Sequence, residues 1–301
     1  MEEIVHIRSI AEVYNFLETE KPPHPLITVM RKWPKVHKGV DELRFSSDLY
    51  YIALKRNISG SFKYGRNSYD YQEGTMVFIA PGQVATFSLD RVGTVPHGWA
   101  ILFHPDLIRK TQLGKSIRQY SYFNYEISEA LHLADKEQKF VNTIVDTIEQ
   151  EINQNIDRHS QTLIVQNLET ILKYSQRYYD RQFYTRSNFD KDLVTKFEQY
   201  LQAYFESPEL REQGIPTIDQ CGAAMNMSGA YLSDLLRTET GRSAKDHIYA
   251  YLIEKAKTTL LSTQAPVSQI AYQLGFDYSQ HFSKLFKSKT GMSPSEYRNL
   301  N

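Results

Sequence analysis

Between residues 24 and 104 the apolar positions gather into short runs: Pro25–Met30, Leu49–Leu54, Thr75–Ala80, Ala85–Leu89 and Gly98–Phe103. The runs are rich in β-branched and aromatic side chains, which fit a pleated, half-buried surface. Turn-forming stretches separate them at Asn57–Gly60, Glu73-Gly74, Pro81-Gly82 and Val95–Gly98. Short strands at roughly even spacing predict a sandwich or a small barrel. Near Pro105 the period changes, and helices are predicted over 127–157 and 160–180. Phe140, Ile144, Ile148 and Ile152 make one stripe, and Leu163, Ile164, Leu168, Ile171 and Leu172 make another. Packing on the β-rich region and pairing with a second copy of the chain can both bury these stripes. Residues 178–192 read as a polar connector, and the remainder to Asn301 as helices joined by short turns.

That last region repeats itself about 50 residues apart. Tyr231–Arg237 matches His281–Lys287, and Thr240–Ser243 matches Thr290–Ser293. Upstream, Ile218–Gly222 resembles Val267–Ala271 with the offset one residue shorter. Each copy is predicted to be a short helix, a tight turn, a second helix and a glycine stop. Gly275 and Asn226 supply the left-handed turn position. Asp277, with Gln280 three residues on, and Ser228 are the expected caps of the second helices. Gly241 and Gly291 end those helices. Ser243 and Ser293 open the next ones, with Pro294 at the first helical position and Glu296 completing a capping box.

This is the helix-turn-helix arrangement, in which the first helix braces a second that enters the major groove of DNA. Leu232, Leu235, Leu236, Phe282, Leu285 and Phe286 are expected to be buried. Ala230, Ser233, Asp234 and Arg237, and in the second copy Ser279, Gln280, Ser283, Lys284 and Lys287, are expected to face outward. A helix over Ser243–Leu261, with the stripe Ile248, Leu252, Ala256 and Leu260, joins the copies. At about 1.5 Å per residue it spans roughly 28 Å. Successive major grooves on one face of a duplex are ~34 Å apart, so such a rod can hold two reading helices side by side.

Composition adds little in favour and excludes a good deal. The 301 residues exceed what one core usually serves, so two or more domains are expected. Lys plus Arg and Asp plus Glu number 35 each, a net charge of +0. Residues 208–301 hold ten basic and nine acidic side chains, so any DNA-attracting face must come from arrangement and not from excess. No apolar run long enough for a membrane helix occurs, and Met1-Glu2-Glu3-Ile4 lacks the basic-then-apolar pattern of a signal peptide. Cys221 is the single cysteine, read as small core packing. A disulfide is therefore impossible within the chain, and the cytoplasm is the expected compartment.

Residues 190–301 resemble the AraC/XylS family of bacterial transcription regulators. The resemblance is carried by Ile270–Phe276, Phe282–Lys287 and Gly291–Arg298, with the first copy in place upstream. It implies a seven-helix DNA-binding domain behind a cupin-like barrel that senses a small molecule or dimerises. The expected fold is therefore α+β and multidomain: a cupin-like barrel over 1–120, a helical connector with possible dimerisation over 121–188, and a double helix-turn-helix domain over 189–301. Many relatives carry basic or large polar groups where this chain has Ala230, Ser233 and Asp234, and an arginine where it has Leu252. The first unit is accordingly expected to make weaker or differently specific contacts.

The expected function is sequence-specific regulation of transcription, as an activator answering a small-molecule effector. The expected partners are double-stranded promoter DNA, a second copy in a homodimer and, by the resemblance, RNA polymerase. Gln280 suits adenine and Lys284 guanine. Lys287, Arg237 and Lys289 suit phosphates or solvent. Trp33, Tyr51, Phe62, Phe78 and Trp99 could line an effector cavity or simply fill the barrel. No metal or cofactor is expected. His24, His37, Glu73, His97 and His104 lack the close spacing that puts two imidazoles on one strand face, and no nucleophile motif or phosphate-binding glycine loop is visible. The competing readings are a cupin-type enzyme and an assembly module that binds no DNA.

Overall fold

Strands with two apolar faces need a cover on each side, and the first half of the chain supplies both. The computed structural model describes residues 5–19, 21–31, 42–56, 74–88, 97–126, 129–187 and 192–299. They divide into two compact units, Met1–Gln182 and Phe183–Asn301. The strands are β1 (Val5–Ile7), β2 (Ile27–Met30), β3 (Glu42–Ser47), β4 (Tyr50–Arg56), β5 (Gly74–Ile79), β6 (Val84–Ser88), β7 (His97–Phe103) and β8 (Leu131–Leu133). Helices of this half are α1 (Ile10–Phe16), α2 (Gln112–Ser116), α3 (Asp135–Asn153) and α4 (Ser160–Ser187).

Five strands pair antiparallel in the order β2-β7-β4-β5-β8, and three more form a second sheet, β1-β3-β6. Among the described residues these are two separate sheets and not a closed barrel. Strand spacing predicts strand lengths, but not which edges pair. The register Ile52–Phe78 and Leu54–Trp99 puts those side chains on one face, while Tyr51–Leu102 and Ala53–Val77 share the other. On the second face Tyr51, Ala53, Val77, Ile79, Ala100 and Leu102 form a core with Ile10 and Val13 of α1, joined by Ile7 and Phe45 from the smaller sheet. Ser9 caps α1 by accepting from the Glu12 amide.

On the opposite face Phe78 packs on Tyr122 and Tyr179, with ring centroids 4.5 and 6.2 Å away. The indole of Trp99 donates to Asn142 on α3 at 2.8 Å. Ile144, Ile148 and Ile152 of α3 and Ile164, Leu168, Ile171 and Leu172 of α4 are buried within this unit. The predicted stripes therefore cover the molecule's own core, with two exceptions. Phe140 and Leu163 are exposed, Phe140 lying against the Tyr174 ring at 4.5 Å.

Two further expectations are corrected. Residues 131–133 are a strand, because Leu131 and Leu133 alternate with His132 and pair with β5. The stretch from 178 is no polar connector. Helix α4 runs to Ser187, and Tyr178, Tyr179, Gln182 and Phe183 are buried. Tyr179 and Phe183 are one helical turn apart, a period hidden by the charged residues around them. Residues 188–191 lie outside the described residues.

The second unit is helical: α5 (Leu193–Glu206), α6 (Glu209–Gln213), α7 (Ile218–Ala224), α8 (Gly229–Thr240), α9 (Ala244–Ser262), α10 (Val267–Gln273), α11 (Ser279–Thr290) and α12 (Pro294–Arg298). Helix α9 touches α8, α10 and α12. Its stripe Ile248, Leu252, Ala256 and Leu260 is buried. No helix among the described residues is long and apolar enough to cross a membrane.

Candidate nucleic-acid interface

Two α-turn-α pairs, α7–α8 and α10–α11, stand out from the second unit, and local sequence builds them in similar ways. Thr217 and Gln220 close a capping box on α7. The chain then turns through Asn226 at φ 57, and Ser228 caps α8 by accepting from the Tyr231 amide. In the second pair Gly275 turns at φ 84. Gly241 and Gly291 end α8 and α11 in the left-handed conformation, and Ser293 with Glu296 forms a capping box on α12, with Pro294 at its start.

The expected cap Asp277 does not cap α11. Tyr278 occupies that position in extended conformation, without a side-chain hydrogen bond. The repeat offset of 50 pairs Tyr278 with Ser228. That offset places the helix start correctly, whereas the preference for an acidic cap places it one residue early. Tyr278 is 64% exposed at the entry to α11, edge-on to His281. It is an interface candidate that a search for polar residues passes over, although the repeat register would have found it.

Leu232, Leu235, Leu236, Phe282 and Phe286 are buried as expected, and Leu285 only partly. Phe282 packs between Phe276 and Phe286 with tilted rings, and Phe286 meets Tyr297 of α12 edge-on. Tyr231 is also buried, whereas its repeat partner His281 is exposed. Of the outward candidates, Arg237, Gln280, Lys284 and Lys287 are exposed, while Ala230, Ser233, Asp234, Ser279 and Ser283 are half-buried.

The two faces differ chemically. On α8, Asp234 and Arg237 pair with each other, and the Ser233 hydroxyl accepts from the Ala244 amide at 3.3 Å. In the second copy Pro294 takes the place of Ala244 and has no N–H to give. Ser283 instead donates back to the Ser279 carbonyl at 3.0 Å. Residues 218–243 hold Asp219, Asp234 and Glu239 against Arg237 and Arg242, whereas residues 267–299 hold Asp277 and Glu296 against Lys284, Lys287, Lys289 and Arg298. Two of those four cations are committed elsewhere. Arg298 donates to the Leu260 and Ala265 carbonyls at the end of α9, and Lys289 reaches Asp246 at 3.5 Å. Lys284 and Lys287 make no ion pair among the described residues, although the Ser293 hydrogen bonds and, with them, Lys287 hold the Glu296 carboxyl below its ordinary value. Helix α11 therefore presents Lys284 and a partly offset Lys287 beside Gln280.

A model of a helix-turn-helix domain matches residues 221–300. The carboxy-terminal domain is of the AraC/XylS type. An uncharacterised HTH-type transcriptional regulator of Escherichia coli (strain K12), YijO, is 27% identical over 64% of this chain and 64% of its own length. The arabinose operon regulatory protein of the same organism is 38% identical over 72 residues, 24% of this chain and 25% of its own length. In both cases the match spans less than two thirds of the relative. Among solved structures, the C-terminal domain of AraT, a response regulator from Geobacillus stearothermophilus, is 33% identical over 36% of this chain and 85% of that chain, with a TM-score of 0.33.

Outside the AraC-type domain the described members of the expected effector-lining set, Tyr51, Phe78 and Trp99, do not come together. Trp33 and Phe62 lie outside the described residues. Tyr51 faces the layer between the sheets, and Phe78 and Trp99 face the helices, so these three fill two different cores. Lys55 lies on the Tyr51 side by alternation, and burial pulls its ammonium down to about 8. His24 and His104 each accept from a backbone amide two residues on. His37 and Glu73 lie outside the described residues, as does the side chain of His97. Cys221 is buried, which raises its thiol to about 11, as suits packing and not nucleophilic chemistry.

Proposed function

We propose that the chain is a sequence-specific transcription regulator whose AraC-type domain binds double-stranded promoter DNA. The observation that carries the reading is the outer face of α11: Gln280, Lys284 and Lys287 exposed on a helix braced by α10 and closed by a glycine stop. An exposed amide and an unpaired ammonium four residues apart suit adjacent base edges, and Lys287, one turn on, suits a phosphate. The outward residues of α8 (Ala230, Ser233, Asp234, Arg237) and Ser279 and Ser283 of α11 complete the proposed DNA-contacting set.

The finer reading is an activator working in the cytoplasm as a homodimer, without catalytic activity. Its amino-terminal unit, proposed to be cupin-like although its described strands form two separate sheets, senses a small-molecule effector, and RNA polymerase is its partner on DNA. The relative's name, arabinose operon regulatory protein, supports operon control as the kind of task. The proposed division is 1–120 for sensing, 121–188 for connection and 189–301 for DNA. Electrophoretic retardation of fragments lying upstream of genes, titrated with salt, tests the core of this proposal. Fragment-selective, salt-sensitive retardation is expected. Equal retardation of every fragment, or none at low salt, would sink it.

A further inference from the structure

On the helix-covered face of the five-stranded sheet, opposite the Tyr51 layer, lies a cavity of about 580 Å³. Tyr50, Tyr120, Phe123, Ile108, Ile117 and Arg118 are among the residues that line it. The Tyr50 ring is fixed from two sides, stacked on Phe103 at 5.0 Å and edge-on to Phe123 at 5.2 Å. Its hydroxyl makes no protein hydrogen bond among the described residues. Partial burial raises its pKa, against a smaller opposing pull from Arg118. The hydroxyl therefore stays a proton donor near a guanidinium.

Arg118 is exposed at the rim and makes no ion pair among the described residues. The second arginine at the cavity, Arg109, is held by Asp106 at 2.7 Å. Residues 105–120, which form much of the wall, hold Arg109, Lys110, Lys115 and Arg118 against Asp106 alone. The entrance thus attracts anions. The volume falls within the roughly 300–1,000 Å³ of small-molecule sites, where apolar walls surround a few polar groups.

We infer that this cleft binds a small organic carboxylate with a flat apolar body, its carboxylate held by Arg118 and the Tyr50 hydroxyl and its body against Phe123 and Ile117. The site lies outside the layer between the sheets, and its described lining includes none of Tyr51, Phe78 and Trp99. A guanidinium meets a carboxylate through two parallel hydrogen bonds, which a neutral amide cannot reproduce. The inference rests on the proposed sensing role of the amino-terminal unit and gives that role a ligand class.

The test is calorimetric titration of the full chain with phenylacetate, naphthoate and hexanoate, with phenylacetamide as the neutral isostere and inorganic phosphate as the bare anion. Saturable binding of the aromatic carboxylates is expected, with phenylacetamide and phosphate at least ~10-fold weaker. Arg118→Gln should weaken binding about 10- to 100-fold and Tyr50→Phe about 2- to 10-fold. Both variants should unfold at the wild-type temperature, because one side chain is exposed and the other keeps its ring contacts. Equal binding of phenylacetamide, unchanged binding by Arg118→Gln, or no heat with any carboxylate at millimolar concentration would overturn the inference. DNA retardation measured without added anion separates the two levels. Retained retardation with no carboxylate binding removes this site alone, and lost retardation removes the regulator reading beneath it.

Discussion

Gly275 answers two demands at once. Its φ of 84 lies where a side chain is strained, and an added Cβ would stand 2.8 Å from Leu210 Cδ1 and 3.0 Å from the Ile215 amide nitrogen. Gly291 has a similar φ of 82 but open space around it. Gly291→Ala should therefore cost only the backbone penalty, about 1 kcal/mol, and Gly275→Ala clearly more, about 2–4 kcal/mol. Urea unfolding of both variants checks the order, and equal losses would mean the 210–215 segment yields freely. His247 sets a pH limit on the same domain. Thr240 donates to the Leu236 carbonyl, so the 2.8 Å contact from Thr240 Oγ1 to His247 Nε2 leaves the imidazole N–H as donor. Burial against Phe197 lowers the pKa below its ordinary 6.5, with Arg242 adding to the shift and Glu198 and Asp246 opposing it. A lowered folded pKa means the unfolded chain takes up the proton first. The contribution of His247 is therefore present above 6.5 and lost as pH falls from there toward the folded value. Urea unfolding at pH near 7.5 and near 5.5 should show a drop that His247→Gln reduces. A drop of the same size in the variant would assign it to other groups.

At the scale of elements, α8 and α11 occupy the same place in the repeat and differ in how their charges are spent. Asp234 neutralises Arg237 one turn on, whereas Lys284 and Lys287 have no such partner among the described residues. Asp234→Asn should release Arg237 to phosphate and remove a repelling charge, tightening binding to all DNA sequences about 3- to 10-fold at low salt. Selective weakening at one C·G pair would instead mean that Asp234 reads a cytosine. The repeat made this domain legible. Periodic apolar positions and turn chemistry located α7 to α12, the buried Leu232 and Phe282, and the caps Ser228, Ser243 and Ser293. Where the copies break symmetry, sequence alone went astray at Tyr278, which stands in place of a polar cap, and gave no sign that the amide holding Ser233 has no counterpart at Pro294, itself correctly placed at the first helical position. The first unit was legible where its strands carry apolar runs. The strands β1 and β8 escaped because three residues give too little period to read, and β3 because only two of its six residues are apolar. Sheet edges escaped because nothing in a strand's own sequence names its partner. The cleft at Tyr50 escaped because it depends on the 105–124 segment folding back over the sheet, a contact between stretches with no shared pattern.

A molecule of net charge +0 has no general pull toward a polyanion, so its affinity for DNA must come from a few placed cations. That sets the expected salt response. With Lys287 on a phosphate and Lys284 bringing its charge into the groove at a base edge, each chain should release about one to two counterions, giving a slope of log K against log salt of about −1 to −2 per chain, or roughly −2 to −4 for a dimer. Such a slope is far shallower than that of a strongly basic binder, and it predicts that discrimination between sequences survives moderate salt. Lys287→Ala should flatten the slope by about 1 per chain and weaken every sequence alike. Gln280→Ala should leave the slope unchanged and cost about 1–3 kcal/mol on the preferred site only, relaxing the choice at one base pair. Fluorescence anisotropy on a selected site and a scrambled one, across a series of salt concentrations, measures both quantities in one experiment. If Lys287→Ala changes sequence preference while Gln280→Ala changes only the slope, the two side chains have been assigned to the wrong groups on the duplex. A steep wild-type slope would mean instead that cations beyond α11 carry the binding.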